Sequence, residues 1–168
     1  AVRHLISLGH TKIAHIAGFL YTDTGIERIE GYRQELNLAD IPFNSDYLVE
    51  AGYTEPEGYK AMSRLLLLPA RPTAVFAAND LLAMGALLAI NEKGLRVPED
   101  ISVVGFDGIW LVERITPALT TVKVPLNEMG YLAMNMLFNK MKGVPVEQER
   151  IILQPSLVVR CSTAQVKN

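Results

Sequence analysis

The chain has 168 residues, 49% of them hydrophobic and 20% charged, with a formal net charge of −2. That length suits one domain burying roughly 70% of the surface its unfolded chain exposes. The slightly acidic balance and scattered basic residues exclude nucleic-acid binding by this stretch alone, which needs a concentrated basic surface. No uninterrupted apolar run of about 18 residues is present to cross a membrane. A single cysteine, Cys161, rules out an internal disulfide framework and fits a reducing compartment; it reads as a buried, inert thiol.

The opening residues, Ala1-Val2-Arg3-His4-Leu5, fall in the middle of a helical pattern without a start methionine or a signal-peptide core, so a piece of a longer protein is expected. Val2, Leu5 and Ile6 share a helical face, and Gly9 is placed to end that helix in a left-handed conformation. Ile13–Ala17, closed by Gly18, predicts a strand. Thr24-Gly25-Ile26-Glu27 has the pattern of a capping box, opening a helix with Ile26, Ile29, Tyr32 and Leu36 as its buried stripe. Tyr47–Ala51 predicts the next strand. A second capping box, Thr54-Glu55-Pro56-Glu57, opens a helix whose core face is Tyr59, Met62, Leu65 and Leu66.

Thr73–Ala78 predicts a third strand ending at Asn79-Asp80, where Asp80 is the expected helix cap. Leu81–Ile90 has no charge and no β-branched residue before Ile90, which favours a helix covered on more than one side and stopped by Gly94. Ile101–Phe106 is an apolar, β-branched run that predicts a strand buried on both faces, with Asp107 at its carboxyl end, where open α/β sheets bind ligands. Leu119–Val124 is a further β-rich run, Leu126–Lys142 the last helix, and Arg150–Leu153 and Leu157–Arg160 predict closing strands around Pro155. Alternation of strand and helix with short connections predicts an α/β fold: a parallel sheet flanked by helices.

No Gly-x-Gly-x-x-Gly, Walker loop or nucleophile elbow occurs, so neither a nucleotide cofactor nor an enzyme is expected. One cysteine and three histidines (His4, His10 and His15) offer no metal spacing; His10 and His15 read as hydrogen-bonded structural residues.

Several stretches resemble the lactose/galactose-repressor (LacI/GalR) family: Arg3–Ala14 with its His-Leu-Ile and Leu-Gly-His elements, Arg71–Asp80, Gly94–Asp107 and Thr116–Val122, all in family order. The resemblance implies a type I periplasmic-binding-protein-like effector domain, mainly its C-terminal lobe. Residues 1–168 would be the C-terminal part of that domain, with a lobe-crossing segment near 125–155. The helix-turn-helix headpiece and the first part of the ligand domain would lie outside this chain. The helix Leu126–Lys142 would belong to the other lobe. It is apolar over most of its surface and holds four of the six methionines, which suits an adaptable contact. Without its lobe it would pack on a neighbouring chain, giving a helix-exchanged dimer.

The resemblance also implies site residues. Arg28 would reach into the cleft and donate to two adjacent ligand oxygens, and Asp107 would accept from neighbouring hydroxyls. Asn79 would contact ligand after its strand, Tyr53 would lie against the ligand, and Thr24 would touch it. Met84, Leu88 and Ile115 would form the homodimer contact. Departures from the family pattern at Val124, Gly108, Leu126 and Phe19-Leu20 leave a smaller or less polar effector open. The implied function is effector sensing in a cytoplasmic bacterial transcription regulator that takes a small hydroxylated, sugar-like ligand. DNA would be bound only through the headpiece. An extracytoplasmic sugar receptor of a transporter shares the fold and is the alternative.

Overall fold

The computed structural model describes residues 1–144 and 150–167. A six-stranded sheet forms its middle: β1 (Ile13–Ala17), β2 (Leu48–Glu50), β3 (Ala74–Ala77), β4 (Ser102–Asp107), β5 (Thr120–Lys123) and β6 (Ser156–Val158), in spatial order β2-β1-β3-β4-β5-β6. The first five strands are parallel, so their carboxyl ends share one edge. β6 runs antiparallel to β5, which makes the sheet mixed rather than wholly parallel.

Successive side chains of the central strands point to opposite faces. Ala14, Ile16, Val75, Ala77 and Val103 pack towards α3 (Glu55–Leu65) and α4 (Asp80–Glu92). Ile13, Ala74, Phe76 and Val104 pack towards α1 (Val2–Ser7) and α2 (Asp23–Leu38). Both faces are therefore covered, and the near-continuous apolar strand sequences follow from that. Helices α3 and α4 approach closely because Gly58 faces the Leu82 backbone and Gly85 faces the Glu55 carbonyl; a Cβ at either would overlap the opposing main chain.

Local signals mostly act as expected. Gly9 ends α1 with φ +87°. The Thr54 amide and hydroxyl both donate to the Glu57 carboxylate, closing the box that opens α3. The other box does not form as expected. Thr22, two residues earlier, caps α2 by accepting from the Gly25 amide, which puts Thr24 inside the first turn. Ile29, Tyr32 and Leu36 are buried on α2, whereas Ile26 is 43% exposed. Arg150–Leu153 is not a strand; β5 pairs with Ser156–Val158 after Pro155 instead. Cys161 is exposed, at a bend after β6, rather than buried.

His10 is structural, as its place in a turn suggested. Its Nε2 faces the Ala164 carbonyl at 3.0 Å, an acceptor only, so Nε2 carries the proton in the neutral ring and Nδ1 accepts from Thr73 Oγ1 at 2.9 Å. This ring, with His4 bonded to Thr163 Oγ1, ties the C-terminal segment back to the start of the chain. The last helix, α5 (Leu126–Met141), has no buried residue. Residues 145–149, inside the expected lobe-crossing segment, lie outside the described residues.

Candidate effector-binding site

Four of the expected ligand residues come to the shared carboxyl edge of the sheet. Asp107 is the last residue of β4, Asn79 follows β3, Tyr53 follows β2, and Arg28 stands on the second turn of α2 after β1. The Arg28 guanidinium lies over the Phe106 ring, 4.2 Å from its centroid, which seats the cation on an apolar support. Its Nη2 stands 3.8 Å from Asp107 Oδ1. That is close enough for Coulomb attraction and too long for a hydrogen bond. Among the described residues neither head group is spent on a hydrogen bond, so a fork of donors and a pair of acceptors face the same space.

That space is a cleft of about 710 Å³ whose walls include Thr24, Arg28, Phe106, Asp107, Val122, Val124 and Leu126. Most of the walls are apolar, with the ion pair as the polar anchor, the usual composition of a small-molecule site. Burial pushes the Asp107 carboxyl above its ordinary range, the Arg28 charge pulls it back, and the Asp80 charge adds to the rise.

The backbone at Asp107 is unusual. Its φ of +106° lies in the left-handed region, where a residue with a Cβ is strained by about 1–3 kcal/mol. Asp80 holds it there. Its Oδ2 accepts the amides of Gly108 at 2.7 Å and Ile109 at 2.8 Å, while Oδ1 accepts the Thr121 hydroxyl at 2.6 Å. Gly105 leaves the room for this carboxylate, since a Cβ there would overlap Oδ1. Burial pushes the Asp80 carboxyl up, and its three donors draw it only part of the way back.

The cap at the start of α4 falls one residue earlier than expected, on Asn79 rather than Asp80. Asn79 is the cap: its Oδ1 accepts from the Leu82 amide at 2.8 Å and its Nδ2 donates to the Tyr53 carbonyl at 3.1 Å. It is 8% exposed and, like Tyr53, is not among the residues lining the cleft; its amide ties the end of β3 to the Tyr53 backbone. The Tyr53 ring lies against Gly18, with its hydroxyl 3.4 Å from Thr22 Oγ1. Burial raises that phenol, but the bonds to Thr22 and Thr24 and the Arg28 charge outweigh it and leave the group below its ordinary value. Asp80 was missed as a site residue because its partners lie far along the chain; the Asn-Asp pair was the only local sign. Phe106, the support of Arg28, carries no local signal beyond its place in an apolar strand.

On the far side of α4, Met84, Leu88 and Ile115 line one groove of about 470 Å³, where Leu87, Leu95, Val97 and Pro117 are mixed with Glu55, Asn91, Arg96 and Glu99. The three residues expected at a dimer contact are thus brought to one surface.

A mainly parallel α/β lobe with an anchored ion pair at the carboxyl edge of its strands defines a small-molecule-binding domain. The sequence matches the model of the periplasmic binding protein-like domain over residues 2–163. The chain belongs to that family, as the effector-binding domain of the LacI/GalR type. Among curated relatives it is 41% identical over 163 residues to the HTH-type transcriptional repressor PurR of Histophilus somni, covering 96% of this chain and 49% of the relative. It is 42% identical over 164 residues to the PurR repressor of Erwinia tasmaniensis, covering 98% and 48%. The chain thus spans about half the length of the curated relatives it matches.

Among solved structures, the fold matches the transcriptional regulator CelR in complex with cellobiose with a TM-score of 0.90 at 36% identity, over 96% of this chain and 50% of that one. It matches a LacI family regulator from Enterococcus faecium with bound ribose with a TM-score of 0.89 at 34% identity, over 99% and 61%. The relatives are regulators, which favours the effector-sensing domain over the transporter receptor.

Proposed function

We propose that this lobe senses a small hydroxylated, sugar-like metabolite for a cytoplasmic bacterial transcription regulator. The observation that carries this reading is the Arg28–Asp107 pair, held in place from behind and unspent towards the cleft. The guanidinium fork donates to two adjacent ligand oxygens while the carboxylate accepts from two hydroxyls. A site so equipped rejects ligands without hydroxyls, because its own groups would go unpaired. Asn79 and Tyr53 serve the same site, Tyr53 as the flank of the ligand and Asn79 as the tie behind it. The similar regulators solved with cellobiose and with ribose support a carbohydrate as the ligand class.

Control of DNA then works by linkage. Ligand binds the closed and open lobe arrangements unequally, shifts the DNA-binding headpiece outside this chain, and is itself bound differently when DNA is present. The similar proteins are repressors, and sensing by linkage needs no bond to be made or broken. A thermal-shift screen of sugars on the full-length protein tests the ligand class, since a ligand at a hundredfold excess over its Kd adds ~2.7 kcal/mol of apparent stability. Arg28→Ala is expected to weaken the best ligand about 100-fold, the worth of two charge-assisted hydrogen bonds. An unchanged affinity would refute the role of the pair.

The groove lined by Met84, Leu88 and Ile115 is the homodimer contact in this reading, because exposed apolar side chains bordered by polar and charged ones are the core-and-rim pattern a self-complementary contact buries. Leu88 is 43% exposed, so Leu88→Lys leaves the fold intact. It is expected to turn a dimer into a monomer by light scattering; a variant as dimeric as the wild type moves the contact elsewhere. Helix α5, uncovered here, is the element that packs against the second lobe. If α5 instead exchanges between copies, the chain by itself dimerises even with Leu88→Lys.

A further inference from the structure

Three aromatic rings stand in a row beyond the carboxyl ends of β1 and β2. Tyr53 meets Phe19 edge-on, with centroids 5.6 Å apart and planes at 84°, and Phe19 stacks on Tyr21 at 5.2 Å and 24°. The inner end of the row reaches the start of α2: the Tyr53 hydroxyl stands 3.4 Å from Thr22 Oγ1, the cap of the helix whose Thr24 and Arg28 line the cleft. The outer end is open: Phe19 is 37% and Tyr21 77% exposed.

These outer rings are not on a loose turn. The Phe19 carbonyl accepts from the Thr22 amide at 3.3 Å and the Thr22 hydroxyl at 2.8 Å. The Leu20 amide donates to Glu50 Oε1 at 3.1 Å, and Gly25 packs against the Phe19 carbonyl so tightly that a Cβ would overlap it. The turn therefore holds apolar rings out in water next to a hydroxyl-binding clamp. A platform already fixed in its binding geometry loses little freedom when a ring settles on it.

Resting on the reading of Arg28 and Asp107 as a hydroxyl clamp, we propose that the effector is a glycoside with a second ring, and that Phe19 and Tyr21 are the seat of that ring. The clamp takes the hydroxylated ring. The linked ring extends along the aromatic row and stacks, either through the C–H face of a second sugar or through the flat face of an aryl or nucleobase group.

Titration calorimetry on the full-length protein tests this with matched pairs. Methyl β-glucoside, methyl β-galactoside and methyl β-riboside carry one ring. Cellobiose, lactose, the p-nitrophenyl β-glycosides and adenosine carry two. At least one two-ring compound is expected to bind about tenfold tighter than its one-ring partner, the worth of one stacked ring. Tyr21→Ala, which removes a mostly exposed ring, is expected to erase that advantage while the one-ring affinity stays as it was; Phe19→Ala, which also takes the edge contact away from Tyr53, is expected to erase it as well.

The disaccharide and nucleoside arms tell the two sources of the second ring apart. An advantage that survives both substitutions, or one-ring compounds that bind as tightly as all two-ring ones, overturns the proposal. Arg28→Ala with unchanged one-ring affinity overturns the clamp instead. No binding in any arm overturns both.

Discussion

Asp80→Ala is expected to cost about 3 kcal/mol of stability and to abolish effector binding, although Asp80 itself does not line the cleft. The substitution strands the amides of Gly108 and Ile109 and the Thr121 hydroxyl, which the carboxylate now satisfies. It also frees a backbone that is held at φ +106° only by its surroundings, so Asp107 relaxes and its carboxylate leaves the clamp. Asp80→Asn behaves differently. The amide oxygen can accept both backbone N–H groups while its NH2 donates to the Thr121 oxygen, and the burial that pushes the carboxyl up no longer opposes a charge. Asn is therefore expected to keep the fold and most of the binding. Urea denaturation and calorimetry check both variants; an alanine variant within about 1 kcal/mol of wild type, the error of such a comparison, removes Asp80 from its supporting role.

Acid is expected to weaken the protein well before its carboxylates titrate, and His15 is the reason. This ring lies in β1 at full burial, stacked on Phe76 at 4.6 Å and 6°, with Tyr32 beside it. Its Nδ1 faces the Phe76 carbonyl at 2.9 Å, so Nδ1 carries the proton, and Nε2 has no partner among the described residues. Burial pushes the group down from 6.5 to about 4, with the Phe76 carbonyl opposing and the Arg28 charge assisting.

The sign follows from proton counting. Below pH 6.5 the unfolded chain binds a proton at His15 that the folded chain refuses until about pH 4, so stability falls across that window and is flat above it. Between pH 7.5 and 5 the loss from this residue is about 2 kcal/mol. His4 and His10, also lowered by burial, add in the same direction. His15→Leu deletes both the unpaired nitrogen and its one hydrogen bond, leaving stability near wild type at pH 7.5 and above it at pH 5. Equal urea midpoint shifts for the two proteins between these pH values would show that His15 is not the sensor.

What could be read from the sequence was whatever depends on neighbours in the chain. Gly9, the Thr54–Glu57 box and the apolar run Ile13–Ala17 each need only a few adjacent residues, and each formed as expected. Arg28 and Asp107 could be picked out from family resemblance, and the fold brings them within 3.8 Å. What stayed hidden depends on distant partners or on near-degenerate choices. Thr22-Asp23-Thr24 offers two threonines for one cap, and the chain uses the earlier. Asn79 and Asp80 both suit a helix start; the extended backbone at Asn79 decides between them. Asp80 then looks across to residues 108, 109 and 121, which no local pattern reveals. Arg150–Leu153 has strand-like residues, but the ladder position beside β5 goes to Ser156–Val158, and an unpaired run remains irregular.

The two margins of the sheet carry a consequence of their own. β2 closes one side and the reversed β6 the other, each only three residues long, with Pro155 immediately ahead of the latter. Long, flat, unpaired borders are where foreign chains add themselves and fibrils grow. Borders this brief give an incoming chain too few successive main-chain bonds to take hold, so the parallel layer inside stays finite while its ligand-facing rim remains open.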